Sequence, residues 1–269
     1  MSLKAVVLAR GIGSRMRAAD QTMTLSADQE RAADAGLKAM MPIAGRSFLE
    51  YILSSLADAG YRDVGLVVGP DHRALRQHFD ERVRPGRVRL HFLVQAEPLG
   101  TANAVLSAEE WVGGEDFISL NADNLYPVPM LSALADAGGP SLLAFEASEL
   151  AQSSNIPASR VSAFAVVTVD EAGYLAGITE KPRGDVPGAG ARTLVSMNGW
   201  RFDSRMFAAC RDVPRSARGE FELPDAVQLA LTRGVRFRAI QASGPVLDLS
   251  SRADVVDVAR RLAGVVPRP

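Results

Sequence analysis

For its first half the chain alternates short apolar runs with segments whose apolar residues recur at helical spacing. Residues 5–9 form an unbroken apolar run, as expected for a strand covered on both faces of a parallel sheet. Residues 64–68, 88–94, 117–120 and 141–145 also read as strands. Between them, 47–59 carries a stripe of Phe48, Tyr51, Ile52 and Leu56 at helical spacing, and 71–79 (capped by Asp71), 101–111 and 130–137 also read as helices. An exposed helix over 27–35 is predicted by the Ser26/Gln29 capping-box pattern at its start and Gly36 at its end. Such βαβα alternation predicts a parallel sheet with helices on both faces.

The pattern changes after residue 149. Residues 161–169, 174–179 and 193–202 read as strands separated by turn signals such as Asp170-Glu171-Ala172-Gly173. Helices return at 204–211, 224–233 and 253–262, with strands at 235–239 and 246–249 between the last two. The expected fold is α/β: a Rossmann-like, mixed but mostly parallel sheet with helices on both faces and a β-rich extension. It is expected to form one domain over 1–269, its first part ending near 150, with 184–190 an exposed loop. There is no internal repeat and no hexapeptide periodicity.

Composition narrows the function classes. A net charge of -1 on 269 residues supplies no global field for nucleic acid or an anionic membrane, so any phosphate site must be a local cluster. The lone Cys210 excludes an internal disulfide framework and thiolate metal clusters. No apolar run is long enough to span a bilayer and none resembles a signal peptide, so the cytoplasm is the expected location.

Ligands of open α/β sheets bind outside the carboxyl ends of the strands, and four polar clusters fall there. After the first strand, Gly11 and Gly13 lack a β-carbon and so let the backbone take positive φ and an anion approach its N–H groups; Arg15 adds a fork of donors suited to phosphate. After 88–94, Gln95 carries an amide that can pair with a base edge, and Gly100 permits close approach of a flat ring. After 117–120, Asp123 stands where a carboxylate can hold a hard cation; Asp248, after Pro245-Val246-Leu247, is a natural second. Two aspartates suffice for magnesium, which takes the rest of its ligands from substrate phosphates and water. After 174–179, Lys181 stands in Glu180-Lys181-Pro182 as a point charge for phosphate, and Lys38 lies beside the apolar 40–43 rather than in a solvated charge run. Taken singly, each has a plainer alternative: a tight turn, a loop amide bonded to backbone, a turn cap, a surface lysine. His72, His78 and His91 are not paired at ligand spacing, and no Gly-x-Ser-x-Gly elbow or His-Glu-x-x-His helix occurs. The first turn fails the dinucleotide fingerprint, whose third glycine would fall at Met16, and it has no Gly-Lys-Ser/Thr.

In this order the clusters resemble the sugar-1-phosphate nucleotidyltransferases, whose Leu-Ala-x-Gly-x-Gly-x-Arg opening is matched by Leu8 to Arg15. Lys38-Ala39-Met40-Met41-Pro42 is similar to the lysine segment of bacterial uridylyltransferases for glucose 1-phosphate; Gln95 to Ala102 is similar to the base-binding loop; Asn121-Ala122-Asp123-Asn124 resembles the first metal motif; and Glu180-Lys181-Pro182 matches Glu-Lys-Pro. The segments 197–202, 219–226 and 246–250 resemble three further motifs, the last being the second metal motif. The resemblance implies a magnesium-dependent reaction of a nucleoside triphosphate, UTP or dTTP, with a sugar 1-phosphate, glucose 1-phosphate foremost, to give an NDP-sugar and pyrophosphate. It implies that Leu8, Ala9, Gly11, Gly13 and Thr101 bind the nucleotide, that Arg15 and Lys38 neutralise its phosphates, and that Gln95 and Gly100 read the base. It further implies that Asp123 and Asp248 hold the metal, that Lys181 binds the sugar phosphate, and that Asn121, Glu180 and Asn198 contact the sugar within the β-rich extension. Departures are Arg10 in place of a small residue, Asn121-Ala122 ahead of Asp123, Ser162-Ala163-Phe164-Ala165 where a sugar-contacting glycine is expected, and a long interval between Arg15 and Lys38. That interval is expected to form a lid or a contact between copies in a homo-oligomer. Other readings of the same clusters are a cytidylyl- or guanylyl-type transferase on another phosphorylated substrate, and a non-catalytic nucleotide-sugar-binding regulator.

Overall fold

The computed structural model describes residues 3–11, 13–17, 25–180 and 193–269. The strand Lys4–Leu8 lies between two parallel neighbours, Asp63–Val68 and Phe117–Asn121, and Arg89–Val94 extends the sheet beyond the first of these. Ala5, Val6 and Val7 have no exposure at all, which is why this stretch is apolar throughout rather than alternating.

The sheet becomes mixed at Leu194–Phe202, which runs antiparallel to Phe117–Asn121, to Ser141–Glu146 and to Ala165–Val169. One strand reaches several neighbours because its register shifts between Ser196 and Trp200, where Asn198 takes φ +63°. Ala165–Val169 and Leu175–Thr179 make the outer antiparallel pair, and Arg238–Ala242 runs parallel to Ser141–Glu146. Two short antiparallel pairs complete the frame: Pro42–Ile43 with Arg46–Ser47, and Asn124–Leu125 with Leu247–Asp248.

Two apolar clusters sandwich the sheet. One gathers Phe48, Leu53 and Phe79; the other is aromatic, with Phe117 stacked on Phe207 at 5.1 Å and Trp200 on Phe202 at 5.6 Å. The anticipated α/β architecture, mostly parallel with a β-rich extension, is the one observed. No described helix is long and apolar enough to cross a membrane.

Several elements differ from the pattern-based expectation. Residues 158–161 form a helical turn after Pro157, so the strand expected from 161 begins at Ala165; proline favours a helix start, and Ser162-Ala163 has little strand preference. The strand expected at 235–239 is Arg238–Ala242, because Val235 and Phe237 first turn into the aromatic core. The helix expected to be capped by Asp71 starts at Arg73 behind His72, then widens into the turn His78–Val83, where Arg84 N donates to Phe79 O. The 101–111 helix is two, Thr101–Leu106 and Glu109–Val112; at the break the Ser107 hydroxyl donates to Asn103 O. The helix Ala147–Ser153 escaped the sequence reading because it buries little besides Leu150 and shows no stripe. The loop expected at 184–190 lies outside the described residues.

Candidate active site at the strand ends

A pocket of about 330 Å³ opens at the carboxyl ends of the parallel strands, lined from three of them. Leu8 to Gly11 follow the first strand, Gln95 to Thr101 the strand Arg89–Val94, and Asn121 to Asp123 close Phe117–Asn121; Lys38 and Ala39 face them, with Glu220 at the rim. Of the sequence candidates, the structure thus brings together Leu8, Ala9, Gly11, Lys38, Gln95, Gly100, Thr101, Asn121 and Asp123.

The segment 25–38 delivers Lys38 to the pocket. Helix Ala27–Asp34 starts with the anticipated capping box and ends in a Schellman turn, Gly36 N donating to Ala33 O and Leu37 N to Ala32 O. Gly36 packs directly on Gly13, whose φ is +61° and where a β-carbon would lie 2.6 Å from Gly36 O. Gly13 therefore uses the conformational freedom expected of it, whereas Gly11 is not in the left-handed region and a β-carbon there would meet nothing within 4 Å. Buried Arg252 fastens this segment by donating Nε to Met16 O and pairing with Asp34 and Glu30. Lys38 emerges two residues beyond Gly36 and places Nζ 2.9 Å from Asp123 Oδ2. Arg15, on the short helix Ser14–Arg17, is exposed and does not line the pocket; neither does Gly13.

The two aspartates expected to share a cation are neighbours. Asn124 and Asp248 pair across the short antiparallel ladder, and Leu249 N donates to Asp123 O at 2.8 Å. Asp248 Oδ1 accepts from Asn124 Nδ2 at 3.1 Å and from Ser250 Oγ at 2.9 Å. Its backbone is clamped by Asn155, which accepts from Asp248 N and donates to Asp248 O. Oδ2 is buried and has no hydrogen-bond partner; Arg160 Nη2, 3.4 Å away, offers ionic attraction without a hydrogen bond while its fork is spent on Asp254 at 2.7 and 2.8 Å. Burial, and then the charge of Asp123, push the Asp248 carboxyl up to about 7, with Arg160 opposing. Among the described residues no group of three or more His, Cys, Asp or Glu is placed to hold a metal ion. The donor set is two crowded carboxylates with one orphaned oxygen, which suits a hard divalent cation that takes its other ligands from phosphate and water.

At the other end, Gln95 is 3% exposed and its Nε2 donates to Gly100 O at 3.1 Å and Asn103 Oδ1 at 2.8 Å. A carbonyl can only accept, so Gly100 O fixes the amide orientation and leaves Oε1 as an acceptor with no donor among the described residues. Gly100 has φ +110°, and a β-carbon there would lie 2.5 Å from Phe221 O. Its missing side chain therefore makes room for the chain's own backbone: Phe221 N donates to Leu99 O, Ala102 N to Phe221 O, and Leu223 N to the Thr101 hydroxyl. The 219–226 motif is the brace of the loop 95–101.

Glu180, Asn198 and Asp248 are not among the residues lining this pocket. Glu180 sits 3.7 Å from Arg218, which also pairs with Glu222. Asn198, on the strand bulge, accepts from the Trp200 indole at 3.3 Å. Lys181 lies outside the described residues. Asn155 and Arg160, which hold Asp248, were not foreseen, since nothing in periodicity or motif distinguishes a loop asparagine or a helical-turn arginine from a surface residue.

Comparison with known proteins places the family and agrees with the fold. A family model described as nucleotidyl transferase matches residues 4–261. The chain is 28% identical over 264 residues to a UTP–glucose-1-phosphate uridylyltransferase, AglF, of Haloferax volcanii, covering 97% of this chain and 96% of that protein. It is 27% identical over 266 residues to a glucose-1-phosphate thymidylyltransferase of Streptomyces antibioticus, covering 96% of this chain but only 65% of that relative's length. The fold is similar to that of a UTP-bound UGPase from Acinetobacter baumannii, with a TM-score of 0.76 at 20% identity over 99% of this chain and 96% of that one. The match runs from the first strand into the last helix, and the chain belongs to the nucleotidyl transferase family.

Proposed function

We propose that this protein joins a nucleoside triphosphate, UTP or dTTP, to a sugar 1-phosphate, glucose 1-phosphate foremost, giving an NDP-sugar and pyrophosphate. The observation that carries this reading is the meeting of Asp123 and Lys38 at one end of a pocket whose other end presents Gln95 Oε1, with the Asp248 carboxyl buried behind Asp123. That oxygen accepts from a base bearing a ring N–H, as uracil and thymine do and as adenine and cytosine do not. The names of the Haloferax and Streptomyces relatives support the same pair of bases and the same sugar.

A sugar phosphate oxygen attacks the α-phosphorus as pyrophosphate leaves. The nucleophile is already an anion, so no general base is required; the obstacle is bringing negative groups together. Lys38 and the backbone at Gly11 neutralise and position the triphosphate, and Arg15, exposed outside the pocket lining, serves the leaving pyrophosphate. Asp123 and Asp248 would hold magnesium, which when bound supplies charge neutralisation at the phosphates. Lys181 receives the sugar phosphate, and Asn121, Glu180 and Asn198 face the sugar.

The test mixes each of the common nucleoside triphosphates with a set of sugar 1-phosphates and reads pyrophosphate release, with the product identified by mass. UTP or dTTP with glucose 1-phosphate should be turned over fastest; no release from any pair by the folded protein would overturn the reading. Lys181→Ala should raise the KM for the sugar phosphate and leave nucleotide affinity nearly unchanged.

A further inference from the structure

Two cations line the pocket among the described residues, Lys38 and Arg10, and only the first has been given a task. The Arg10 side chain crosses from the end of Lys4–Leu8 past the end of Asp63–Val68 to the loop after Arg89–Val94, where Nη2 donates to Ala96 O at 3.1 Å. Gly69 opens that path, since a β-carbon there would lie 3.2 Å from Arg10 Nε and 3.6 Å from its Cγ. Nη1 is closed to solvent and has no hydrogen-bond partner among the described residues. A buried donor left unmade is costly, and here it belongs to a residue on the pocket wall.

The charges around Arg10 indicate what it binds. Burial lowers the guanidinium pKa, His72 lies beside it, and the carboxylates of Asp71 and Glu97 oppose the shift. Arg10 is thus a partly desolvated cation at the end of the pocket away from Lys38 and Asp123 and against the residue that follows Gln95, with no ion pair to Asp71 or Glu97. Such a group is less a sink for phosphate charge than a positioned N–H donor for a neutral acceptor.

We propose that Arg10 is a specificity residue for the nucleotide, its guanidinium donating to a carbonyl oxygen of the same base whose ring N–H is accepted by Gln95 Oε1. This rests on the nucleotide-pocket reading above. The two side chains would hold neighbouring donor and acceptor positions of one base edge, and the Arg10–Ala96 bond would keep the two readers in register.

The test compares wild type, Arg10→Ala and Arg10→Lys in calorimetric binding of UTP, dTTP, 2-thio-UTP and 4-thio-UTP, and in initial rates. Loss of a charged hydrogen bond to the base should weaken UTP binding to the alanine variant by about tenfold to a hundredfold, in KM rather than kcat, with the sugar-phosphate KM unmoved. One thio analogue should bind the wild type less tightly than UTP by a similar factor and bind the alanine variant as well as UTP does. Lysine should restore only part of the affinity. If Arg10 merely ties two loops together, the alanine variant loses UTP and both analogues equally, and the proposal falls. A wild type that binds neither UTP nor dTTP overturns the base reading together with Arg10's part in it. Binding that discriminates the analogues without NDP-sugar formation overturns the catalytic reading alone.

Discussion

Asp123 ends a strand in the parallel part of the sheet, whereas Asp248 sits on a two-residue strand laid against it from the far end of the chain. The first carboxylate is 25% exposed and faces Lys38; the second is 5% exposed and is held through Asn155, Arg160 and Ser250. In the parallel half, position follows from topology: a strand end is a ligand site because the sheet makes it one. In the second half, position is secured by side chains that clamp a short irregular segment. Asp123 is therefore set by the backbone, while Asp248 is an intrinsically unfavourable group that its neighbours keep in place.

The largest expected effects separate these two modes directly. Asp123→Asn and Asp248→Asn should each reduce turnover by about a hundredfold or more, since each removes half of a carboxylate pair. Their stabilities should diverge. Asp248 carries a carboxyl raised from 3.8 to about 7, so its contribution to stability is most favourable below 3.8 and is lost as pH rises through about 7. Asp248→Asn, measured by urea unfolding in chelator, should gain stability relative to wild type across that interval and keep the gain at pH 8. Asp123→Asn gives up only a partly exposed ion pair and should shift stability by about 1 kcal/mol or less. An Asp248→Asn protein less stable than wild type at pH 8 would refute the contrast.

Removing the clamp should cost more stability than removing what it clamps. Arg160 is 15% exposed in its side chain and serves Asp254 with both terminal nitrogens; Asp254 Oδ2 in turn accepts from the backbone N–H groups of Ser250 and Ser251. Arg160→Met leaves two buried carboxylates without their cation and should destabilise the protein by about 3–5 kcal/mol. Equilibrium unfolding measures this, and a loss below about 1 kcal/mol would mean that the backbone alone fixes the segment.

The same contrast explains what was legible in the sequence. Unbroken apolar runs at 5–9 and 64–68 mark strands covered on both faces, so the parallel order and the strand-end residues Gln95 and Asp123 could be read from pattern. Asp248 was suggested by position after a short apolar stretch, but its burial and its partners depend on residues some 90 positions earlier, Asn155 and Arg160, joined to it only by folding. Gly100 was read as space for a ligand ring and proves to be space for Phe221, because a sequence shows that a β-carbon is missing but not which atom comes close. Gly100→Ala, which must both adopt φ +110° and displace a backbone carbonyl 2.5 Å away, should cost about 1–3 kcal/mol and raise the triphosphate KM. Unfolding and initial rates read the two consequences separately; a normal KM in the folded variant would mean that the brace does not shape the nucleotide site proposed around Gln95.

The smallest expected effect lies where local sequence and tertiary anchoring agree. Ser26 caps helix Ala27–Asp34, and Ser26→Ala should cost about 0.5–2 kcal/mol in that helix. The helix does not depend on its cap alone. Gln29 Nε2 donates to Pro42 O, Arg252 pairs with Glu30 and Asp34, and the Schellman turn independently fixes the stretch that delivers Lys38. Fraying should therefore stop within the first turn, appearing as faster hydrogen exchange at Gln29 and Glu30, with unchanged exchange at Gly36 and Leu37 and an unchanged triphosphate KM. A raised KM in Ser26→Ala would show that the first turn bears on Lys38 through the whole helix, and would place this segment among those held by topology rather than by clamps.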